Sequence, residues 1–150
     1  MAEHTEILVV EDNQADLKLT TRAIRACNVQ WRITVVRDGE QALEFLFARG
    51  EYAGRSPELL PKVVLLDLKL PKVTGLQVLE QVKNDSLTRM IPVVVLTSSN
   101  QHEDVLAAYK RGANSYVQKP VDADNFEKVI RSTVDYWLSV NLPPPGEVTL

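Results

Sequence analysis

Five short apolar runs punctuate the chain, at 7–10, 31–36, 63–66, 92–96 and 115–118, and the stretches between them carry apolar residues at helical spacing. The runs at 7–10, 63–66 and 92–96 are apolar throughout, the pattern of strands covered on both faces in a parallel sheet. After the first run, Asn13 or Asp16 can cap a helix whose inward stripe is Leu17, Thr20, Ile24 and Cys27. Arg37, Asp38 and Gly39 turn the second run into a helix with Ala42, Leu43, Leu46 and Phe47 on its apolar side. A helix over about 75–84 turns Leu76, Leu79 and Val82 inward. The hydroxyls of Thr97, Ser98 and Ser99 suit the start of the next, which carries Val105, Leu106 and Tyr109 on one face and stops at Gly112. Asp122 caps a last helix with Phe126, Val129, Ile130, Val134 and Trp137 at helical spacing. Strict alternation of strand and helix predicts right-handed crossovers: an α/β, doubly wound, five-stranded parallel sheet in a three-layer α/β/α sandwich.

The third run changes the picture, because it ends in an acid. Asp67 follows four apolar residues, and the segment 68–75, with Pro71 and Gly75, breaks the strand period just after it. The carboxylate therefore projects at the carboxyl edge of the sheet, where open α/β folds place their chemistry. Parallel strands bring their carboxyl ends together, so Glu11 and Asp12 after the first strand, Thr97 at the end of the fourth and Lys119 after the fifth share that edge. Three acids so gathered repel one another and raise one pKa, unless a hard divalent cation sits among them. Mg²⁺ suits such a site, because it accepts one or two carboxylates, keeps several waters and leaves room for a phosphate oxygen. Lys119 adds a point positive charge and Thr97 a hydroxyl donor for an anion.

Composition bounds the rest. At 150 residues, with 45% hydrophobic and 25% charged, the chain has the make-up of one globular domain, assigned to 1–142, with a short proline-rich tail at 143–150 and no output domain. No apolar run approaches the roughly 20 residues of a membrane span, and the acidic start 1–6 is unlike a signal peptide, so a cytoplasmic protein is expected. The single Cys27 allows no internal disulfide and reads as helix filling. A formal charge of -3 leaves no electrostatic footprint for nucleic acid. His4 and His102 are too scattered to suggest a metal site.

The acidic pair Glu11 and Asp12, the segment from Leu65 through Asp67 and Pro71 to Gly75, Thr97 after an apolar strand, Tyr116, and Lys119 before Pro120 together resemble the receiver domains of two-component response regulators. The match runs from Ile7 to Leu138, and its prototype is the stand-alone chemotaxis regulator with a flavodoxin-like sheet. The resemblance implies that Asp67 accepts a phosphoryl group from a phosphohistidine on a sensor histidine kinase or phosphotransfer protein. It further implies Mg²⁺ held by Asp12, Asp67 and the backbone carbonyl of Lys69, with Glu11 acting through metal-bound water. Lys119 then pairs with the acyl phosphate, Thr97 hydrogen-bonds one of its oxygens, and Tyr116 turns inward when Thr97 moves. Lys69 and Ser99 flank the path of attacking water. On this reading the protein catalyses only its own phosphorylation and dephosphorylation and is no enzyme for an external substrate.

Taken singly, these residues have plainer readings. Glu11 and Asp12 can cap a helix and complement its dipole, Thr97 can be an ordinary strand residue, and Lys119 a solvated lysine. A phosphohydrolase of the haloacid dehalogenase type also follows a buried strand with a nucleophilic Asp, but it needs a second Asp where this chain has Lys69. A phosphorelay intermediate and a docking-only receiver remain as alternatives. The long connection 50–61, the last helix and the proline-rich tail are similar to the small response regulators paired with bacterial phytochromes. With that resemblance come a light-sensing kinase as partner, no nucleic acid, no membrane, and a homodimer through the face of the fourth helix, fifth strand and fifth helix, which carries Tyr109, Tyr116, Tyr136 and Trp137.

Overall fold

The computed structural model describes residues 4–145. Five parallel strands, β1 (Ile7–Val10), β2 (Ile33–Val36), β3 (Val63–Leu66), β4 (Val93–Thr97) and β5 (Ser115–Gln118), form one sheet in the order β2-β1-β3-β4-β5. Each is followed by a helix: α1 (Gln14–Cys27), α2 (Gly39–Leu46), α3 (Gly75–Asn84), α4 (His102–Lys110) and α5 (Ala123–Asp135). Alternate strand residues face opposite sides, so the sheet divides two cores. Leu8, Val10, Val64, Leu66, Val93 and Val95 pack with α2 and α3, whereas Ile7, Val9, Val63, Leu65, Val94 and Leu96 pack with α1 and α5. The chain order reverses between β1 and β3, so their carboxyl ends border the crevice where such sheets bind ligands.

Local chemistry fixes where the helices begin. Asn13 accepts the Asp16 N–H at 2.9 Å at the head of α1, and Asp38 accepts that of Gln41 at 2.7 Å at the head of α2. Thr74 and Gln77 form a reciprocal capping box on α3. The 50–61 connection is tied down by Arg55, whose guanidinium lies 4.3 Å from the Phe45 ring centroid and donates to the Phe45 and Leu59 carbonyls.

Two details of the sequence reading are corrected, at β2 and α2. β2 starts at Ile33 rather than at 31, because the Arg32 N–H is taken by the Glu6 carboxylate instead of the ladder. In α2 the buried aromatic is Phe45, three positions after Ala42, while Phe47 lies past the last turn as the C-cap. In α4 Ala108 is the buried residue, and Leu106 and Tyr109 are 45% and 49% exposed. Beyond Asp135 the last helix widens into π-type turns at Tyr136–Val140, and the tail residues 146–150 lie outside the described residues.

Glu6 joins β1 to its neighbours at the amino edge: it accepts the Arg32 N–H at 3.2 Å and pairs with Lys62 at 3.2 Å. Burial alone would raise its pKa, but the Arg32 and Lys62 bonds outweigh that and hold it below the ordinary glutamate value. A depressed carboxylate stabilises the fold above its unfolded pKa and ceases to as pH falls through the folded one. Glu6→Gln is therefore expected to cost about 1 kcal/mol at pH 7, with the gap to wild type closing below about pH 4 in urea titrations.

Candidate functional site

The register places the acids side by side. Val10 pairs with Leu66 across β1 and β3, so Glu11 and Asp67 follow as neighbours at the same edge. Thr97 pairs with Gln118 across β4 and β5, and Lys119 comes next, its backbone N–H donating to the Thr97 carbonyl at 2.7 Å. The lysine side chain crosses to the middle of the sheet edge. Its ammonium donates to Glu11 Oε1 at 2.5 Å, to Asp67 Oδ2 at 3.0 Å and to Asp16 Oδ2 at 3.0 Å.

Glu11, Asp67, Thr97 and Lys119 are all buried, whereas Asp12 is exposed. One ammonium among three carboxylates leaves excess negative charge in a dry place. Burial accordingly pushes the Glu11 carboxyl up to about 7, with the Asp67 charge adding to the rise and the Lys119 bond opposing it. Burial pulls on Lys119 in the other direction, but its bond to Glu11 and the charges of Asp67 and Glu11 prevail and hold the ammonium above its ordinary value.

The acids are thus joined by Lys119. The ammonium supplies the neutralising charge, and Asp12 stays in solvent. The carboxylates of Glu11, Asp12 and Asp67 are oxygen donors of the kind a hard divalent ion takes, the first and last buried and Asp12 exposed.

The β3–α3 loop fixes Asp67. Asp67 Oδ1 takes the Lys69 N–H at 3.2 Å, and the Gly75 N–H closes the loop on the Leu68 carbonyl at 3.0 Å. Beside it Thr97 Oγ1 is fully buried and has no hydrogen-bond partner among the described residues. Thr20 Oγ1 in α1 is buried and unpaired in the same way, so what singles out Thr97 is its place on the sheet edge that carries Asp67 and Lys119. Removing the Thr97 hydroxyl should help the bare protein: Thr97→Val is expected to raise unfolding stability by about 1 kcal/mol in denaturant titrations.

Tyr116 is half-buried, and its hydroxyl donates to the Ser99 carbonyl at 2.9 Å, while the Ser99 hydroxyl donates to Asp104 at 2.5 Å. A cavity of about 230 Å³ lined by Leu68, Lys69, Thr74, Thr97, Ser99 and Asp104 opens next to Thr97. Of the aromatics assigned to the α4-β5-α5 face, Tyr109 and Tyr136 are exposed, whereas Trp137 is half-buried and stacks edge-on against Tyr136. Sequence reasoning brought Glu11, Asp67, Thr97 and Lys119 to one edge and missed Asp16, which it took only as a helix cap. The signal was present in its spacing, four residues after Asp12 in the first turn of the helix that leaves the site.

Asp67 thus lies buried at the switch point of a doubly wound sheet, ion-paired to Lys119 from the next-but-one strand and flanked by the buried hydroxyl of Thr97. The response regulator receiver domain model matches residues 7–131, and the chain belongs to that family. It is 44% identical over 92% of its length to the probable methanogenesis regulatory protein FilR2 of Methanothrix harundinacea, covering 86% of that protein. It is similar to the phosphorylated cyanobacterial phytochrome response regulator RcpA, with 36% identity, a TM-score of 0.87 and coverage of 95% and 99% of the two chains. It is also similar to the Mn²⁺-bound form of response regulator Rcp1, a Synechocystis protein, with 35% identity, a TM-score of 0.85 and coverage of 92% and 97%.

Proposed function

We propose that Asp67 is the phosphoacceptor of this response regulator and that Lys119 and Thr97 receive the transferred group. In this reading an Asp67 oxygen attacks the phosphorus of a phosphohistidine, the P–N bond breaks, and the imidazole leaves with its electron pair. A carboxylate is a weak nucleophile, so the step depends on alignment and on neutralising charge that spreads over the phosphoryl oxygens. Lys119 carries a fixed positive charge to that place, and the Thr97 hydroxyl offers a donor with no other use. Asp12, Asp67 and the Lys69 carbonyl, with Glu11 beside them, would hold Mg²⁺, which would supply further positive charge. The observation that carries the reading is the convergence of buried Asp67, Lys119 and unpaired Thr97 on one sheet edge.

Thr97 and Tyr116 form the switch. When Thr97 is drawn to a phosphoryl oxygen, the β4–α4 loop follows, and the Tyr116 bond to the Ser99 carbonyl changes with it. The exposed Leu106 and Tyr109 of α4 make this movement readable on the α4-β5-α5 face, through which the protein forms a homodimer. The partner is a sensor histidine kinase, and the likeness to RcpA and Rcp1 favours a phytochrome-type, light-sensing one in the cytoplasm. Among the described residues no helix is long and apolar enough to cross a membrane.

Incubation with acetyl phosphate and Mg²⁺ tests the reading. Intact mass is expected to show one added phosphoryl group, and none when EDTA replaces Mg²⁺. An unchanged mass in Mg²⁺ would refute it. Light scattering after size exclusion that shows only monomer, with and without beryllofluoride and Mg²⁺, would remove the dimer.

A further inference from the structure

An ammonium has three protons, and in this structure every one of Lys119's is taken. Glu11, Asp67 and Asp16 each accept one, at 2.5, 3.0 and 3.0 Å. For Lys119 to bond an incoming phosphoryl oxygen, one of these carboxylates must release it. The three are not equally held. The side chains of Glu11 and Asp67 are 4% and 9% exposed, whereas that of Asp16 is 28% exposed. A half-hydrated carboxylate gives up an ion pair at small cost because water replaces the donor, while a buried one is left uncompensated.

We propose that Asp16 is a positioning residue that occupies, on Lys119, the donor a phosphoryl oxygen needs, so that its release sets the rate at which the site accepts phosphate. Asp16 is placed for this by its own helix: it sits in the first turn of α1, where its N–H is pinned to the Asn13 side chain. From there its carboxylate, the most exposed of the three, reaches Lys119 at 3.0 Å. It competes with the ligand without contacting it. The inference rests on the reading that Asp67 accepts the phosphoryl group.

The test is the rate of labelling by acetyl phosphate with Mg²⁺, followed by intact mass, in wild type, Asp16→Asn, Asp16→Ala and Asp16→Glu. In this reaction an Asp67 oxygen bonds phosphorus, the P–O bond to acetate breaks, and acetate leaves with the electron pair. Removing the competing carboxylate is expected to speed labelling roughly two- to fivefold in the Asn and Ala variants, the worth of an ion pair to a partly hydrated carboxylate. Asp16→Glu, which keeps a carboxylate within reach, is expected to label at the wild-type rate. The gain should survive 0.5 M NaCl, because a bond to Lys119 is a contact effect, whereas simple attraction of an anionic donor to a less negative edge is screened away. Beryllofluoride affinity, read by ¹⁹F NMR without turnover, should rise by a similar factor. Equal rates and affinities in wild type and Asp16→Ala, or a gain that vanishes in salt, would overturn the role of Asp16 while leaving Asp67 as acceptor. No labelling in any of the four proteins would instead overturn the acceptor reading, and this inference with it.

Discussion

Lys119→Met is expected to destabilise the protein by about 3–5 kcal/mol at pH 7, because it removes the cation shared by Glu11, Asp16 and Asp67 and leaves two of those carboxylates buried without a counter-charge. The loss should depend on pH in a definite direction. Glu11 in wild type already has its carboxyl raised to about 7, so the folded state holds a proton the unfolded state has shed, and stability contributed by that group falls as pH rises from the ordinary glutamate value toward 7. Without the ammonium that rise must grow, since the bond to Lys119 is what opposes it. The variant should therefore fall further behind wild type between pH 5 and 8 than below pH 5, as read by urea midpoints. Millimolar Mg²⁺ should restore part of the difference, because a divalent ion can neutralise the same carboxylates. A variant as stable as wild type in EDTA at pH 7 would show that the ammonium does not hold the cluster together.

The second large effect belongs to a residue with no side chain. A Cβ on Gly75 would stand 2.2 Å from the Asp67 carbonyl oxygen and 2.6 Å from the Leu68 Cα, both backbone atoms that cannot swing aside. Gly75 is where α3 leans directly on the loop that aims the acceptor, and its N–H closes that loop on Leu68. Gly75→Ala must push the helix away or twist the loop, at about 2–3 kcal/mol. The chemistry should suffer more than the fold. A displacement of about 1 Å at a reacting atom can cost on the order of a hundredfold, so labelling by acetyl phosphate is expected to slow by at least tenfold while the chain remains folded at 25 °C. Mass spectrometry for the first and circular dichroism for the second separate the two. A Gly75→Ala protein that labels at the wild-type rate would mean that the contact does not set the position of Asp67.

These two residues also mark what the amino-acid pattern could and could not disclose. The apolar runs ending in Asp67 and Thr97 gave the doubly covered parallel sheet a physical basis, because strands that are apolar on both faces must be covered on both, and the acids and Lys119 then fall at one edge by parallelism alone. What closes the gap between those acids was not visible. Charge repulsion called for a cation, and the pattern did not distinguish a divalent ion from the ammonium of Lys119, which comes from β5 and must cross β4 to reach β1 and β3. Asp16 was hidden for a related reason: in the first turn of a helix an acid is explained well enough by the helix dipole, so nothing in the sequence asked for a partner more than a hundred residues away.

The misplacement of Phe47 has a different origin. Its position past the end of α2 removes it from the helical period that buries Phe45. In α4, a helix of nine residues, Ala108 is the buried residue and Leu106 and Tyr109 stand in solvent, which agrees with the outer face to which Tyr109 was assigned.

The account depends on Asp67 being the group that phosphate reaches, and mapping the label tests this most directly. Wild type and Asp67→Asn are treated with acetyl phosphate and Mg²⁺, and the modified residue is located by peptide mass spectrometry. The expected result is a single phosphoryl group on Asp67 in the wild type and an unmodified Asp67→Asn chain that remains folded. A label on any other residue, or undiminished labelling of Asp67→Asn, would contradict it.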